Sequence, residues 1–364
     1  MKPQIFAFYL PQFHPFPEND LWWGKGFTEW TNVGKAKPLF HGHYQPRVPA
    51  DLGYYDLRLP EVRNAQAEMA RKYGITAFCY YHYWFGNGKQ LMEMPLNEVV
   101  RTGQPDFPFF VCWANHSWYN KTWNSSAQNN ERSLLIEQEY LGLEDVEQQF
   151  YTLLPIFRDQ RYYRINGKLA YCIYMVKDLP YYKDYCDKFQ ELAQKNGLPG
   201  FFMMSYTREI EDLKKDCYKS MDANFLYPKN DLYGNKATVL LEKILSRILK
   251  RPMRVIEYKK AIKKMLVDEH KLDRVYPVIL PNWDHSPRLG YNGAILHNST
   301  PQLWGQLVNN ALKLIKNKPV DDQIIMIKSW NEWAEGNYME PDLKYGLGYL
   351  EVLKNCLEKQ SDIR

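Results

Sequence analysis

Glu332 and Glu335 lie three residues apart in a short polar segment that follows an apolar run, between Trp330 and Gly336. Two carboxylates beside one glycosidic bond can divide its cleavage, because one protonates the leaving oxygen while the other assists attack at the sugar carbon. The proton donor needs a raised pKa, which a neighbouring negative charge and nearby tryptophan rings would favour. The alternative is a helix N-terminus, with Asn331 as its cap and both glutamates in the first turn. The flanking tryptophans and the position after a strand favour catalysis.

Histidines in other segments raise the alternative of a metal site. His82, His116 and His285 follow different predicted strands and could converge with Asp284, a ligand set that suits zinc. No histidine pair has the HExxH spacing of a zinc-binding helix, so hydrogen bonding to substrate hydroxyls is the favoured role. We therefore expect neither a metal nor a cofactor.

Aromatic residues are abundant, with 28 Tyr, 17 Phe and 11 Trp, and the tryptophans cluster with polar residues. Such surfaces suit a sugar ring, which has an apolar face and a polar edge, although burial under long loops is the alternative for each ring. The rings do not accompany a basic stripe, which argues against nucleic acid. The residues that we predict to bind substrate are His14, Trp22, Trp23, Tyr81, His82, Trp84, Trp113, Asn115, His116, Trp283, Asp284, Trp330, Asn331 and Trp333.

Short apolar runs that alternate with longer amphipathic stretches position these residues. The predicted strands cover residues 5–10, 75–83, 109–113, 169–175, 201–206, 223–226, 275–280 and 323–328. The predicted helices cover residues 60–73, 91–101, 143–158, 182–195, 239–264 with a break near Pro252, 301–316 and 348–359. Eight strands separated mostly by helices predict a closed (β/α)8 TIM barrel of the α/β class. Polar and aromatic residues follow the strands, which predicts long loops at the carboxyl-terminal face, and we expect residues 1–364 to form a single catalytic domain.

Charge and cysteine content limit the partners and the cellular compartment that we expect. The formal net charge is only +5, and the basic residues are dispersed except in the 250–264 region. That region is either a solvated helix face or a place of peripheral membrane contact. The six cysteines form no CxxC pair, which favours a reducing compartment. No leader segment and no apolar run of membrane-spanning length is visible, so the sequence predicts a cytoplasmic protein without a membrane span.

Three motifs carry a family resemblance: AFYLPQFH at residues 7–14, WWGKGFTEW at residues 22–30 and WNEWAEG at residues 330–336. They resemble the WbsX family, which is found with bacterial surface-polysaccharide genes and is itself similar to glycoside hydrolase family 99. The resemblance to WbsX runs nearly end to end. The resemblance to family 99 is narrower and depends on the barrel and the turn at residues 331–336.

Family 99 implies a metal-independent barrel enzyme, a retaining endo-α-mannosidase or endo-α-mannanase. By that resemblance Glu335 is the general acid/base, and Glu332 deprotonates the sugar 2-hydroxyl so that a 1,2-anhydro sugar forms. Ala334 stands where family 99 commonly has histidine, which bears on substrate choice. The expected function is a retaining glycoside hydrolase or transglycosidase acting on α-linked, mannose-like residues of a polysaccharide or its precursor. Two alternatives stay open: a glycosyltransferase of surface-polysaccharide biosynthesis, although no DxD motif is present, and a non-catalytic carbohydrate-binding protein.

Overall fold

The computed structural model describes residues 2–120, 133–229, 232, 234 and 236–362. Eight parallel strands form its centre: β1 Gln4–Tyr9, β2 Ala77–Trp84, β3 Phe109–Trp113, β4 Lys168–Ile173, β5 Phe201–Thr207, β6 Ala223–Leu226, β7 Val275–Ile279 and β8 Ile324–Ile327. Each strand pairs with the next one along the chain, and β8 pairs with β1, where Gln4 lies beside Ile324. The sheet is therefore a closed barrel, and the predicted (β/α)8 fold is confirmed.

Helices follow the strands in the order expected of this fold. They are α1 Pro60–Lys72, α2 Met94–Thr102, α3 Leu143–Phe157, α4 Tyr182–Lys195, α5 Asp216–Lys219, α6 Lys236–Leu249, α7 Pro301–Ile315 and α8 Gly348–Asp362. Proline occupies the first turn of α1, α2 and α7, where its missing N–H costs no helical hydrogen bond. The strands are almost wholly buried because helices cover their outer side and side chains fill the barrel interior.

The connections at the carboxyl-terminal ends of the strands contain further short elements. After β1 come the helices Pro17–Trp23 and Glu29–Lys35, and after β7 comes the helix Ser286–Leu289. Smaller strands lie at Gln90–Leu91, Trp118–Tyr119, Leu134–Ile136, Trp283–Asp284, Ile295–His297, Asn331–Glu332 and Asn337–Tyr338. In the connections that lead into β4 and β7, strands lie at Arg164–Ile165 and Val255–Glu257, and a one-turn helix lies at Tyr258–Ala261. The connections at the carboxyl-terminal ends supply most of the side chains of the candidate site.

The helical region predicted over residues 239–264 is confirmed in its first part and in its break near Pro252, and Tyr258–Ala261 is again helical, but the segment between them is a strand. The observed helix α6 ends at Leu249, and Lys250 adopts a left-handed backbone conformation with φ 48°. The segment Val255–Glu257 is a strand that pairs in parallel with Ile295–His297. Pro252 removes a helical donor, and the β-branched pair Val255-Ile256 favours an extended chain, so the regular spacing of basic residues was a misleading signal.

Two further observations concern thiols and membranes. All six cysteines are free thiols, and those at positions 79, 112 and 172 lie on the neighbouring strands β2, β3 and β4. Among the residues that the structure describes, no helix combines the length and the apolar character needed to cross a bilayer.

Candidate active site

The two glutamates lie in the connection that follows β8. Glu332 ends a two-residue strand that pairs with Asn337–Tyr338, and the single helical turn Trp333–Glu335 follows it. The turn ends at Gly336 with φ 55°, where an added Cβ atom would lie 2.7 Å from the Cβ atom of Asp284. Only glycine fits this left-handed position so close to the loop after β7, so Gly336 keeps the two loops in contact.

Glu335 contacts an arginine and a histidine from the loop after β7. The Arg288 guanidinium donates a hydrogen bond to Oε1 of Glu335, and Nε2 of His285 lies 3.5 Å from the same oxygen. The second arm of Arg288 lies 2.8 Å from Oε1 of Glu29, a fully buried carboxylate in the helix Glu29–Lys35. Burial alone would raise the pKa of Glu335, but the charges of Arg288 and His285 outweigh it and hold the pKa far below its usual range.

Glu332 has the opposite environment. Its side chain is buried, its backbone N–H donates to Oγ of Ser329 over 2.8 Å, and its Oε2 lies 3.8 Å from Nζ of Lys328. Within the described residues Oε2 has no hydrogen-bond partner. Burial raises the pKa of Glu332 to about 7, even though the charge of Lys328 opposes the shift.

The pKa shifts of the two glutamates therefore differ from the shift expected from the sequence. The expectation that Glu335 has a raised pKa is wrong for the unbound protein, because the Arg288 ion pair stabilises its charged form. Burial favours the protonated form of Glu332, whereas the Arg288 ion pair favours the charged form of Glu335. The raised pKa of Glu332 suits acid–base work at neutral pH, whereas the Arg288 ion pair disfavours a proton on Glu335.

Lys328 forms the floor of the site at the end of β8. Its ammonium donates a hydrogen bond to the Tyr81 hydroxyl over 2.9 Å. Four aromatic rings surround the ammonium at 5.3–5.7 Å, namely Phe8, Tyr81, Tyr174 and Tyr206. Cation–π contacts of this kind stabilise a buried ammonium. The arrangement fixes a positive charge directly beneath Glu332.

Three of the predicted substrate-binding residues lie around this centre. Tyr81 contacts Lys328, as described, and the Trp283 ring lies 5.7 Å from the His285 ring that faces Glu335. His116 is exposed, with its ring 5.9 Å from Tyr174. These three side chains come from the ends of β2, β7 and β3, as the barrel geometry requires.

The residues predicted from the first loop lie farther out or in the interior. The Trp22 ring lies 6.0 Å from Trp118, and Trp23 lies 6.0 Å from Phe27. Both tryptophans are partly exposed, so both can contact a ligand. His14 is buried, and burial lowers its pKa to about 4.

Four predicted binding residues are instead part of the packing between barrel and helices. The Trp84 indole donates to Asp145 over 3.0 Å, and the Trp113 indole donates to the backbone oxygen of Trp84 over 2.9 Å. Asn115 is fully buried and donates to the Tyr140 hydroxyl over 2.9 Å. His82 is buried, which lowers its pKa to about 3. Strand alternation explains the positions of His82, Trp84 and Trp113, since residues next to an inward-facing side chain face the helices. Asn115 lies after β3 and also donates to the backbone oxygen of Met175.

Four more predicted binding residues hold the loops in place. The Asn331 amide accepts from the Leu10 N–H over 2.8 Å and donates to the Leu10 oxygen over 3.0 Å. The Trp333 indole donates to Glu340 over 2.6 Å, and Trp330 is fully buried. Asp284 is also fully buried and accepts hydrogen bonds at 2.7 Å from His43 and from Gln45. These side chains support the loop that carries the glutamates, and Asp284 also lines a cavity beside His43 and Arg47.

Several residues of the site were not found from the sequence. Glu29 lies within the motif at residues 22–30, and that motif could have identified it as a site residue. Lys328 is a charge at the end of an apolar strand, which is also a readable signal. Arg288 follows no local pattern that assigns it to Glu335, and His285 was singled out only as a possible metal ligand or substrate contact. Both roles depend on how two loops pack.

The proposed histidine metal site is not assembled. Within the described ranges there is no group of three or more His, Cys, Asp or Glu side chains that could hold a metal ion. Asp284, the carboxylate of that hypothesis, is already bonded to His43 and Gln45.

The fold is a closed (β/α)8 barrel, and the glutamate pair lies in the connection after its last strand. A family model described as Glycosyltransferase WbsX matches residues 5–353, which is nearly the whole chain. The chain therefore belongs to the WbsX family, as the three motifs indicated.

The chain is also similar to a sequence relative and to solved structures. An uncharacterized protein WxcX of Xanthomonas campestris pv. campestris is 33% identical over 361 residues, which cover 99% of this chain and 50% of the relative. The chain thus spans about half the length of the relatives it matches. A glycoside hydrolase-like protein has a TM-score of 0.60 at 15% identity, covering 98% of this chain and 94% of that one. The family 99 endo-α-mannosidase of Bacteroides thetaiotaomicron has a TM-score of 0.56 at 15% identity, covering 99% and 98%. These structures share the fold.

Proposed function

We propose that the chain is a retaining glycoside hydrolase or transglycosidase that acts on α-linked, mannose-like residues of a polysaccharide or its precursor. The observation that carries this proposal is the pair Glu332 and Glu335, held in one loop at the carboxyl-terminal end of the barrel with different electrostatic environments. Two carboxylates whose environments separate their pKa values can divide acid and base roles.

Arg288 gives each glutamate a distinct part in the proposed reaction. By resemblance to family 99, Glu335 protonates the leaving oxygen and Glu332 takes the proton of the 2-hydroxyl. The ion pair with Arg288 keeps Glu335 charged in the unbound protein, so proton donation requires that a bound sugar takes over hydrogen bonds from the guanidinium. Glu332 already has a pKa near the working range of a base. Arg288 would thus couple binding of substrate to activation of Glu335.

A nucleotide-sugar-dependent glycosyltransferase is the second candidate. The description of the family model, Glycosyltransferase WbsX, favours it. Against it, the sequence has neither a DxD motif nor a phosphate-binding loop of the GxxxxGK[ST] type. The two candidates differ in their need for an activated donor.

The test is to incubate the protein with α-mannose-containing oligosaccharides, with and without nucleotide sugars, and to analyse the products by mass spectrometry. Shortened or rearranged oligosaccharides without any nucleotide sugar support the proposal, provided that the variant Glu332→Gln/Glu335→Gln forms none. Products that appear only with a nucleotide sugar support the transferase instead.

A further inference from the structure

We propose that helix α6, which connects β6 to β7, docks the protein onto an anionic lipid bilayer through an exposed apolar face. This proposal does not depend on the reaction that the barrel catalyses. The described part of the chain leaves this apolar face uncovered.

The apolar face consists of Leu240, Leu241, Ile244 and Ile248, which are 47–69% exposed. These positions are spaced one, three or four residues apart, so the four side chains form one stripe along the helix. Leu249, at 49% exposure, extends the apolar surface at the helix end. Single exposed leucines are ordinary, but a continuous stripe of this size on one helix is typical of an interaction site.

The polar side of α6 faces the protein, which reverses the usual orientation of a surface helix. Ser246 is buried and accepts a hydrogen bond from the Met253 N–H over 3.1 Å. Oε2 of Glu242 lies 3.8 Å from Nε of Arg254. Because its polar groups contact the protein, the helix presents its apolar groups to solvent. Covering that face would remove apolar surface from water, which is favourable.

Charge favours a bilayer over another protein as the cover. The segment 236–254 contains six basic residues and one acidic residue, Glu242, which is on the protein side. Arg247 is exposed at the edge of the apolar stripe, and Lys250 and Arg251 are exposed at the helix end. An apolar face with a basic border is the pattern of helices that lie in the plane of an anionic membrane surface.

The helix lies beside the loop that supplies Arg288 to the candidate active site. Nη2 of Arg254 donates to the backbone oxygen of Asn292 over 2.5 Å, and Asn292 belongs to the turn Gly290–Asn292 directly after Arg288. Docking through α6 would therefore place the carboxyl-terminal face of the barrel near the membrane. The sequence had placed its membrane hypothesis in the 250–264 region, whereas the apolar surface lies just before it.

The experiment measures co-sedimentation of the full chain with phosphatidylcholine vesicles, with and without phosphatidylglycerol. We expect binding to the anionic vesicles that weakens as salt is raised. Ile244→Ser/Ile248→Ser should weaken partitioning by about tenfold or more, because both side chains lose apolar burial. Arg247→Gln/Arg251→Gln should weaken it by about fivefold per charge. The matched control, Leu21→Ser/Leu343→Ser, removes two leucines that are 81% and 70% exposed outside α6 and should change nothing.

All substitutions are at exposed positions, so circular dichroism and thermal unfolding should match the parent protein and exclude misfolding. Absence of binding to either vesicle, or unchanged binding by Ile244→Ser/Ile248→Ser, would overturn the proposal. So would a dimer in vesicle-free solution, measured by light scattering, that this variant converts to monomer. In that case a second copy of the chain covers the face.

Discussion

At the scale of single residues, two cations are divided among three buried or nearly buried carboxylates. Arg288 contacts both Glu29 and Glu335, and Lys328 lies beneath Glu332. The division explains why neighbouring glutamates in one loop have opposite pKa shifts. It also means that a change in either cation should alter the titration of its own glutamate.

Arg288→Lys should raise the pKa of Glu335. Lysine keeps the positive charge, but a single ammonium cannot hold two carboxylates in the way that the guanidinium fork does. We expect the Glu335 carboxyl carbon to titrate about one pH unit higher in a carbon-13 NMR experiment. Arg58→Lys, which alters the exposed Arg58–Asp56 pair, is the control and should leave Glu335 unchanged. An unaltered Glu335 titration in Arg288→Lys would mean that another group keeps this carboxylate charged.

Lys328→Met should raise the pKa of Glu332 further above its usual range. The substitution removes the positive charge 3.8 Å from Oε2 of Glu332 and keeps an unbranched apolar side chain. Because the proposed base must be ionised, the acidic limb of the pH–activity profile should move up by about one to three pH units. Lys318→Met is the control, since that lysine contacts the Tyr276 ring and the Leu272 backbone oxygen instead. A profile that stays in place would show that Lys328 does not set the ionisation of Glu332.

The sequence was informative about the glutamates and less so about the tryptophans. Glu332 and Glu335 could be found because polar residues at a strand end are rarely needed for packing. Trp84 and Trp113 follow strands in the same way, yet both face the helices and donate to buried oxygens. A tryptophan at a strand end suits the core and the cleft equally, so its type does not reveal its direction.

At the scale of elements, the loop after β8 is held from behind by Glu340. This buried carboxylate accepts hydrogen bonds from the Trp333 indole over 2.6 Å, the Tyr55 hydroxyl over 2.9 Å and the Gln66 amide over 2.6 Å. Burial raises the pKa of Glu340 to about 7. The loop that carries the candidate catalytic pair is therefore fixed by a carboxyl group that the sequence analysis did not single out.

Two substitutions of Glu340 should separate the contribution of its hydrogen bonds to stability from the contribution of its charge. Glu340→Ala leaves three buried donors without an acceptor, which should lower the free energy of unfolding by about 3 kcal/mol or more. Glu340→Gln can keep the contacts if the Gln66 amide turns over, because the Tyr9 hydroxyl that now donates to Gln66 can accept instead. We expect a loss of about 1 kcal/mol or less for this variant in urea denaturation. Equal losses for both variants would contradict this account of the loop.

The pH dependence of Glu340→Gln has a defined sign. The folded protein binds a proton at Glu340 more tightly than the unfolded chain, whose pKa is near 4.5. This contribution to stability is complete below about pH 4.5 and is lost as pH rises through about 7. The glutamine variant lacks it, so the variant should become more stable relative to the parent as pH rises across this window. A constant difference in unfolding free energy across the window would be evidence that Glu340 is already ionised.

Most barrel elements were predictable, but the short helices Pro17–Trp23, Glu29–Lys35 and Asp216–Lys219 and one strand were not predicted. Strongly apolar runs followed by amphipathic stretches identified every barrel strand. The strand Val255–Glu257 was missed because basic residues at helical spacing surround it. Its pairing with Ile295–His297 is a contact between distant segments, which local patterns do not encode.

At the scale of the whole molecule, the barrel is closed by contacts between its two ends. Pairing of β1 with β8 joins Gln4 to Ile324 and Ala7 to Ile327, and Asn331 bonds both backbone groups of Leu10. The sequence predicted closure only through the number of strands. The register of the closing pair and the packing of the loops depend on contacts between segments far apart in the sequence, so local patterns do not predict them.

We expect the chain to unfold as one cooperative unit, although it spans only about half the length of its relatives. A closed barrel has no internal boundary at which one part can unfold and leave the other intact. Far-ultraviolet circular dichroism and tryptophan fluorescence should therefore give one coincident urea transition. Two separate transitions would divide the chain into independent parts.

The most direct test of the paired-carboxylate claim compares Glu332→Gln and Glu335→Gln on a natural substrate and on one with an acidic leaving group, such as a nitrophenolate. Glu335→Gln should lose turnover of the natural substrate far more than that of the activated one, because an acidic leaving group needs little protonation. Glu332→Gln should fail on both, because no leaving group replaces the base. If neither substitution slowed turnover, the pair would not be catalytic. If only Glu332→Gln were rescued by the activated substrate, the two roles would be reversed.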